Sequence, residues 1–222
     1  MPAPLVLLDL DGTLVDSAPG ITACVAAAYR SVGLPAPDAA TLRSFVGPGI
    51  WESLRRHGVP EELVPDVVAA YRERYAATGR HDATVFDGIP ALLGDLRAAG
   101  IRLLVATAKP EAFAVPICGD LGLTPLLDGI FGTSLDESTS KAQVVARALA
   151  SAPDHDPATT LMVGDREHDV HGAGEHGVGC IGVTWGYAAP GELAAAGALE
   201  VVGTADALRA ALLARLGADA VV

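Results

Sequence analysis

The chain has 222 residues, of which 50% are hydrophobic, and it carries a formal charge of −12. This apolar content is enough for a substantial core, either in one domain or in a core domain with a smaller insert. The negative charge argues against a nucleic-acid polymer as partner, because such binding needs a basic surface to neutralise backbone phosphates.

No stretch approaches the roughly 18 uninterrupted apolar residues of a membrane span. The opening MPAPLVLLDLDGT has no basic residues, and Asp9 interrupts its apolar run, so we expect a buried strand there and not a signal peptide. These features predict a cytoplasmic protein with no membrane partner. The scattered Cys24, Cys118 and Cys180 favour small buried side chains over a disulfide framework or a zinc site.

The first part of the chain predicts one strand followed by helices. Residues 4–8 are a short continuous apolar run, which is typical of a central strand in a parallel sheet. The Ala-rich segment from Pro19 to about Arg30 predicts a helix, and EELVPDVVAAYRERYAA predicts a longer one. Prolines and glycines between them indicate several short helical pieces. Residues 17–80 therefore predict an all-helical block.

After about residue 85, predicted strands alternate with predicted helices. The strands are IRLLVAT, GIFGTS, TTLMVGD, GCIGVTW and EVV, and the helices include GIPALLGDLRAAG, EAFAVPICGDLG, KAQVVARALA and ADALRAALLARL. This alternation is typical of an α/β fold with a doubly wound parallel sheet, a Rossmann-like core. Because the helical block interrupts it, we predict an α/β core at residues 1–16 and 84–222 with an inserted all-helical cap domain at residues 17–83, joined by linkers near 14–18 and 80–86.

Chemically useful side chains gather where predicted strands end, which is where open parallel sheets bind ligands. They are Asp9 and Asp11 after the first strand, Thr107 and Lys109 at the second, Lys141 at a helix start, and Asp165 and Asp169 after LMVG. Lys109 and Lys141 are the only lysines among 15 basic residues, which favours special roles for both because a compact ammonium differs from a guanidinium at a crowded phosphate site. Two possibilities stay open for Lys109: contact with substrate, or pairing with a carboxylate at the rim.

This set of residue types predicts phosphoryl transfer assisted by a metal ion. Carboxylates clustered at one edge repel one another unless a hard cation lies among them, and Mg²⁺ prefers oxygen ligands, including phosphate oxygens. Lys141 and Thr107 would contact the remaining phosphoryl oxygens. Asp9 fits a nucleophile that metal ligation keeps ionised. Asp11 fits an acid/base partner that keeps its proton because a neighbouring anion disfavours the ionised form.

The surrounding motifs resemble those of the haloacid dehalogenase-like hydrolase superfamily. DLDGT at 9–13, ATAK, STSKAQVV and VGDREHDVHGA resemble its four motifs, in family order across residues 9–173. The helical block stands where the phosphoglycolate phosphatase-like branch has its cap domain, and WGYAAPGEL resembles the ending of that branch. FVGPGIWESL and VATAKP resemble 5′-nucleotidase-type members.

The resemblance implies a Mg²⁺-dependent phosphatase that forms an aspartyl-phosphate on Asp9. Asp11 would protonate the leaving oxygen and then deprotonate the attacking water. The resemblance also implies a Mg²⁺ site made by Asp9, the backbone carbonyl of Asp11 and Asp165, with Asp169 outside the direct ligands. The expected partner is a small phosphorylated metabolite, and we expect a monomer or a homodimer.

The remaining expectations concern the substrate. The candidate substrate-binding residues are Thr13, Gly47, Pro48, Gly49, Ala108 and Lys109. Ala108 stands where relatives often have Asn, which removes an amide donor near the phosphate. Two enzymatic alternatives stay open, a phosphoglycolate phosphatase-like and a 5′-nucleotidase-type activity. A non-catalytic phosphoacceptor of the receiver type is disfavoured by the DLDGT run and by the helical block.

Overall fold

The computed structural model describes residues 3–217. The strands are β1 (Leu5–Leu8), β2 (Val15–Asp16), β3 (Thr84–Val85), β4 (Arg102–Pro110), β5 (Gly129–Thr133), β6 (Thr160–Gly164), β7 (Gly179–Val183) and β8 (Glu200–Val202). The helices are α1 (Ala18–Ser31), α2 (Ala39–Arg43), α3 (Ile50–Arg56), α4 (Val64–Ala77), α5 (Ile89–Ala98), α6 (Glu111–Asp120), α7 (Lys141–Ala150), α8 (Glu167–Gly174), α9 (Glu192–Ala195) and α10 (Ala205–Leu216). Short 3₁₀ turns lie at Gly79–Asp82, Thr124–Leu126 and Pro157–Thr159.

The core is a six-stranded parallel sheet with the order β5-β4-β1-β6-β7-β8. The chain moves from β1 to β4 and β5 on one side, and then returns to the other side of β1 for β6, β7 and β8. The direction of winding therefore reverses between β1 and β6, and such a reversal opens a crevice at the carboxyl ends of the strands. The predicted doubly wound α/β fold is confirmed.

The position of β1 in the middle of the sheet explains its continuously apolar sequence. All four of its residues are fully buried, because helices cover both faces of the sheet. Leu5 and Leu7 pack in a cluster that includes residues of α7 and α8, whereas Val6 and Leu8 pack in the larger cluster on the opposite face. Burying each such side chain contributes about 1.5–3 kcal/mol, so β1 anchors the residues that follow it.

A helical insert, defined here as the segment from α1 to α4, separates β1 and β2 from the rest of the core. Its two ends are joined by an antiparallel ribbon in which Val15 pairs with Val85. Helix α1 packs against α4 through buried side chains such as Val25 and Val68. The sequence predicted linkers at this junction, and the structure adds the ribbon, whose two-residue strands are too short to give a periodic pattern. The domain boundaries themselves stay a prediction.

Two further sequence expectations concern cysteines and membranes. Cys24, Cys118 and Cys180 are free and buried, as predicted. Between residues 3 and 217, none of the helices combines the length and the apolar character that a bilayer crossing requires.

Candidate active site

The candidate site lies at the carboxyl edge of the sheet, where the winding reverses. Asp9 follows β1 and Asp165 follows β6, and these strands are neighbours in register, with Leu8 beside Val163. The backbone N–H of Asp9 donates to the carbonyl of Val163 at 2.9 Å. Thr107 lies in β4, on the other side of β1. The structure thus brings together Asp9 and Asp165, which are 156 positions apart in the sequence (165 − 9).

Three carboxylates form the centre of the site, which we call the acid cluster: Asp9, Asp165 and Asp169. One oxygen from each lies within 4.8 Å of the others, and all three residues are buried. Lys141 faces two of them, with Nζ 2.7 Å from Asp9 Oδ1 and 2.6 Å from Asp169 Oδ1. Because α7 begins at Lys141, the helix start holds this ammonium against the cluster.

The charges in the acid cluster are poorly balanced. Burial raises the pKa of Asp9 to about 6, with Asp169 adding to the rise and Lys141 opposing it. Burial, Asp169 and Asp9 also raise the pKa of Asp165 well above its ordinary value. Burial alone would lower the pKa of Lys141, but Asp169 and Asp9 outweigh it and raise that pKa. The cluster therefore holds more negative charge than Lys141 neutralises, which a divalent cation would relieve.

Three glycines allow backbone to approach the acid cluster closely. A Cβ at Gly12 would lie 2.2 Å from Asp165 Oδ2, and Gly12 also has a φ of +86°, which favours glycine. A Cβ at Gly164 would lie 2.2 Å from Asp169 Oδ2, and one at Gly186 would lie 2.3 Å from Asp165 Oδ2. Oxygen donors surrounded by glycine backbone fit a small hard cation such as Mg²⁺.

Hydrogen bonds fix two of the carboxylates. Asp165 accepts from the backbone N–H of Tyr187 at 2.7 Å and from Thr13 Oγ1 at 3.4 Å. Asp169 Oδ2 accepts from the backbone N–H of Arg166 at 3.1 Å, which closes the first turn of α8. Thr13, expected to bind substrate, is fully buried and contacts Asp165, so its contact supports the acid cluster. Its proposed substrate contact stays a prediction.

Asp11 lies outside the acid cluster and forms an ion pair with Lys109. Lys109 Nζ is 2.6 Å from Asp11 Oδ2, and both side chains are almost fully buried. Burial alone would lower the pKa of Lys109. The effect of Asp11, Tyr75 and Tyr71 is larger than that of burial, so the pKa of Lys109 is raised. Lys109 thus pairs with a carboxylate, in the interior and not at the rim, and its contact with substrate stays a prediction.

Strand β4 extends beyond the predicted IRLLVAT to Pro110. Its pairing with β5 shifts register between Ala106 and Pro110. Thr107 Oγ1 accepts from the backbone N–H of Lys109 at 3.2 Å, and the carbonyl of Ala108 accepts from Thr133 Oγ1 at 2.9 Å. The irregular strand end therefore holds the residues that were predicted to contact phosphate and substrate.

Two cavities adjoin the site between the core and the helical insert. The inner chamber has a volume of about 40 Å³ and is lined by residues that include Asp11, Tyr71, Tyr75, Lys109, Phe113 and Glu137. The outer groove is open, has a volume of about 1010 Å³, and is lined by residues that include Trp51, Arg55, Arg56, Glu137, Lys141 and His168. Gly47, Pro48, Gly49 and Ala108 line both. The predicted loop of the insert thus lies beside the site.

The loop after β7, part of the WGYAAPGEL stretch, was noted in the sequence for its resemblance but not as part of the site. Tyr187 OH donates to Asp16 Oδ1 at 2.7 Å and accepts from the backbone N–H of Ser17 at 3.1 Å. Trp185 Nε1 donates to the carbonyl of Thr13 at 3.1 Å. This loop therefore ties the acid cluster to the start of the helical insert. The position of this loop could have identified it from the sequence, because GCIGVTW is another strand that ends at the ligand-binding edge.

The arrangement of the acid cluster agrees with a family match. The model of the haloacid dehalogenase-like hydrolase family matches residues 6–183. The chain belongs to this family. The matched segment contains every residue of the acid cluster, as well as Asp11, Lys109 and Lys141, so the haloacid dehalogenase-like assignment and the geometry concern the same part of the molecule.

Curated relatives of this haloacid dehalogenase-like chain carry different activity names. It is 44% identical over 184 residues to the tyrosine-protein kinase PtkA of Mycobacterium tuberculosis, covering 82% of this chain and 62% of the kinase. It is 39% identical over 193 residues to a 5′-nucleotidase of Pseudomonas aeruginosa, covering 86% and 87%. It is 37% identical over 218 residues to a plasmid phosphoglycolate phosphatase of Cupriavidus necator, covering 96% and 94%. The chain thus spans less than two thirds of the kinase but nearly all of the phosphoglycolate phosphatase.

A solved structure supports the same fold. The crystal structure of a predicted phosphatase from Clostridium acetobutylicum aligns with a TM-score of 0.90 at 36% identity, covering 96% of this chain and 100% of that one. The alignment extends over both the sheet and the helical insert.

Proposed function

We propose that this chain is a Mg²⁺-dependent phosphatase that hydrolyses small phosphomonoesters through an aspartyl-phosphate on Asp9. The observation that carries the proposal is the acid cluster facing Lys141 at the point where the winding of the sheet reverses. Phosphoryl transfer needs mostly positioning and charge stabilisation, and this arrangement supplies fixed carboxylates together with an ammonium.

The acid cluster provides oxygen donors suited to Mg²⁺. In the proposed site the ligands are carboxylate oxygens of Asp9 and Asp165 and the backbone carbonyl of Asp11, with Asp169 outside the direct ligands. When bound, the ion would neutralise the clustered negative charge and help to orient a phosphoryl group. The support is the set of raised pKa values and the glycine backbone that leaves room among the oxygens.

The proposed chemistry uses two carboxylates in two steps. An Asp9 oxygen forms a bond to phosphorus while the bond from phosphorus to the leaving oxygen breaks, and Asp11 gives its proton to that oxygen. Asp11 then takes a proton from water as the water attacks phosphorus, which releases phosphate and restores Asp9. Lys141 and Thr107 would contact the phosphoryl oxygens. Asp11 Oδ1 is buried and has no hydrogen-bond partner among residues 3–217, so it is available to a substrate oxygen.

The inner chamber favours a small leaving group and therefore a phosphoglycolate phosphatase-like activity. Asp11 lines this chamber, whose volume is about 40 Å³. Similarity to the phosphoglycolate phosphatase of C. necator along nearly the whole chain supports the same choice. A 5′-nucleotidase-type activity is the second candidate, favoured by the outer groove of about 1010 Å³ and by the P. aeruginosa relative.

Phosphate release by the purified chain tests the proposal. With MgCl₂, we expect many turnovers on phosphoglycolate, and a panel of nucleoside 5′-monophosphates, sugar phosphates, pyrophosphate and 4-nitrophenyl phosphate ranks the alternatives. A single burst without turnover would identify a phosphoacceptor instead. Transfer of label from γ-labelled ATP to a tyrosine-containing protein, without phosphate release, would indicate a kinase. Full activity after exhaustive chelation would contradict the metal requirement.

We further propose that residues 17–83 act as a cap domain over the site. The lining of both cavities by the insert's Gly47, Pro48 and Gly49 supports this role. A cytoplasmic location and a monomeric or homodimeric state are also part of the proposal, and cell fractionation and light scattering would test them.

A further inference from the structure

Glu137 has an unusual backbone conformation. It lies between β5 and α7, and among residues 3–217 it is the only non-glycine residue with a positive φ, at 57°. Side chains other than glycine, asparagine and aspartate rarely adopt this left-handed conformation. Its backbone N–H donates to the carbonyl of Ser134 at 3.0 Å, so a tight turn holds it there. Strained backbone positions of this kind are concentrated at functional sites.

The Glu137 side chain crosses from the core to the helical insert. Its Oε1 lies 3.3 Å from Arg72 Nη2, and its Oε2 accepts from the backbone N–H of Trp51 at 3.4 Å. A Cβ at Gly49 would lie 2.5 Å from Glu137 Oε2, so the carboxylate packs directly on the backbone of the insert loop. The side chain is only 11% exposed. Three contacts on the insert therefore fix one carboxylate of the core.

Glu137 also lies where the two cavities adjoin, with the insert loop Gly47–Gly49 and Ala108. It lines both the inner chamber and the outer groove, whereas Asp11 lines only the chamber and Lys141 only the groove. A leaving oxygen that takes its proton from Asp11 must begin in the chamber. The chamber is small, with a volume of about 40 Å³, so it favours a compact group.

A larger leaving group would have to continue into the outer groove, past the contact of Glu137 with Gly49, two residues that line both cavities. At this contact the carboxylate is held by Arg72 and by a backbone N–H, and it packs on the backbone of Gly49. We expect that removing this one side chain widens the route between the two cavities without removing any residue of the acid cluster.

We propose that Glu137 is a specificity-determining residue, whose carboxylate confines the leaving group to the inner chamber and excludes bulky phosphomonoesters. This role rests on the proposed phosphatase function. It predicts that the ratio of kcat/KM for a bulky substrate to kcat/KM for a small one depends on the size of the side chain at position 137.

Steady-state kinetics with phosphoglycolate and adenosine 5′-monophosphate tests this role. Glu137→Gly is the informative variant because it removes the side chain, and because glycine adopts a φ of 57° without strain and so preserves the turn. We expect it to raise the ratio of kcat/KM for adenosine 5′-monophosphate to kcat/KM for phosphoglycolate by about tenfold or more, the scale on which pocket size discriminates substrates.

Two further variants control for charge and for general effects. Glu137→Gln keeps the size of the side chain and its acceptor oxygen, so its ratio should stay close to that of the unmodified chain. Glu73→Ala removes an exposed glutamate from α4, the helix that carries Arg72, and should leave kcat/KM unchanged for both substrates. Thermal unfolding of each variant checks that the fold is retained.

The outcomes separate the two proposals. If Glu137→Gly left the ratio of the two kcat/KM values unchanged, or lowered kcat/KM equally for both substrates, the specificity role of Glu137 would be refuted. Phosphate release by the unmodified chain would still uphold the phosphatase. A ratio that rose equally in Glu137→Gln would refute a role based on size. Absence of phosphate release by the unmodified chain on every substrate would refute the phosphatase and, with it, the specificity role.

Discussion

Lys109 Nζ and Asp11 Oδ2 lie 2.6 Å apart in an ion pair that is buried at the wall of the inner chamber. The Tyr75 ring of the helical insert lies beside the same ammonium, with its centroid 4.9 Å from Nζ. Lys109 therefore positions Asp11 and at the same time contacts the insert.

Lys109→Met should lower kcat more than it changes KM, because Asp11 loses the partner that orients it. A lysine that bound substrate directly would instead raise KM. The variant also leaves a buried carboxylate unpaired, which costs about 3–5 kcal/mol of unfolding free energy, to be measured by denaturant titration. Lys109→Arg keeps the charge and should recover part of kcat. A raised KM at unchanged kcat would contradict the positioning role.

Asp9→Asn should abolish phosphate release, because an amide does not form the acyl-phosphate bond. Burial raises the pKa of the Asp9 carboxyl to about 6, so at neutral pH the folded protein holds an unfavourable ionised group there. We therefore expect Asp9→Asn to unfold at the same temperature as the unmodified chain or higher when Mg²⁺ is absent. Calorimetry and a phosphate assay measure the two effects. Near-normal turnover would contradict the covalent route.

Asp11→Asn should slow turnover by ~10²–10⁴-fold, the usual contribution of acid/base help. Its carboxylate lies outside the acid cluster, so Mg²⁺ affinity, measured by calorimetric titration of the purified variant, should change little. A large loss of Mg²⁺ affinity would mean that the Asp11 side chain takes part in holding the ion.

Mg²⁺ should stabilise the folded chain, because an ion that binds only the native state adds about 2.7 kcal/mol at 100 times its dissociation constant. We expect MgCl₂ to raise Tm and EDTA to reverse the shift. Asp165→Asn should abolish the shift, since Asp165 belongs to the acid cluster. Asp66→Asn, which changes an exposed carboxylate at the start of α4, should keep it. Equal shifts in both variants would place the ion elsewhere.

The parallel sheet and the residues at its edge were predictable because both follow from local patterns. A continuous apolar run that stops at Asp9 identifies a buried strand and its end, and parallel strands bring Asp9 and Asp165 to the same edge. Lys141 was predictable for a similar reason, since it opens a helix after a short strand.

Other features depend on contacts that no local pattern encodes. Glu137 looks like a loop carboxylate in the sequence, and only the approach of the insert gives it Arg72 as a partner. The hydrogen bond from the Thr13 hydroxyl to Asp165 is another such contact, and the expected contact of Thr13 with substrate stays a prediction. The end of β4 past Thr107 was missed because its irregular pairing carries no strand periodicity.

Tyr187→Phe should loosen the junction of the core and the helical insert while leaving the acid cluster in place. The lost hydroxyl donates to Asp16 Oδ1 and accepts from the backbone N–H groups of Ser17 and Ala18. Leaving such partly buried groups without a partner costs about 1–3 kcal/mol, which denaturant unfolding would measure. The backbone N–H of Tyr187 still donates to Asp165 in this variant. We therefore expect lower stability with unchanged Mg²⁺ affinity, and a parallel loss of both would show that the junction and the acid cluster are not independent.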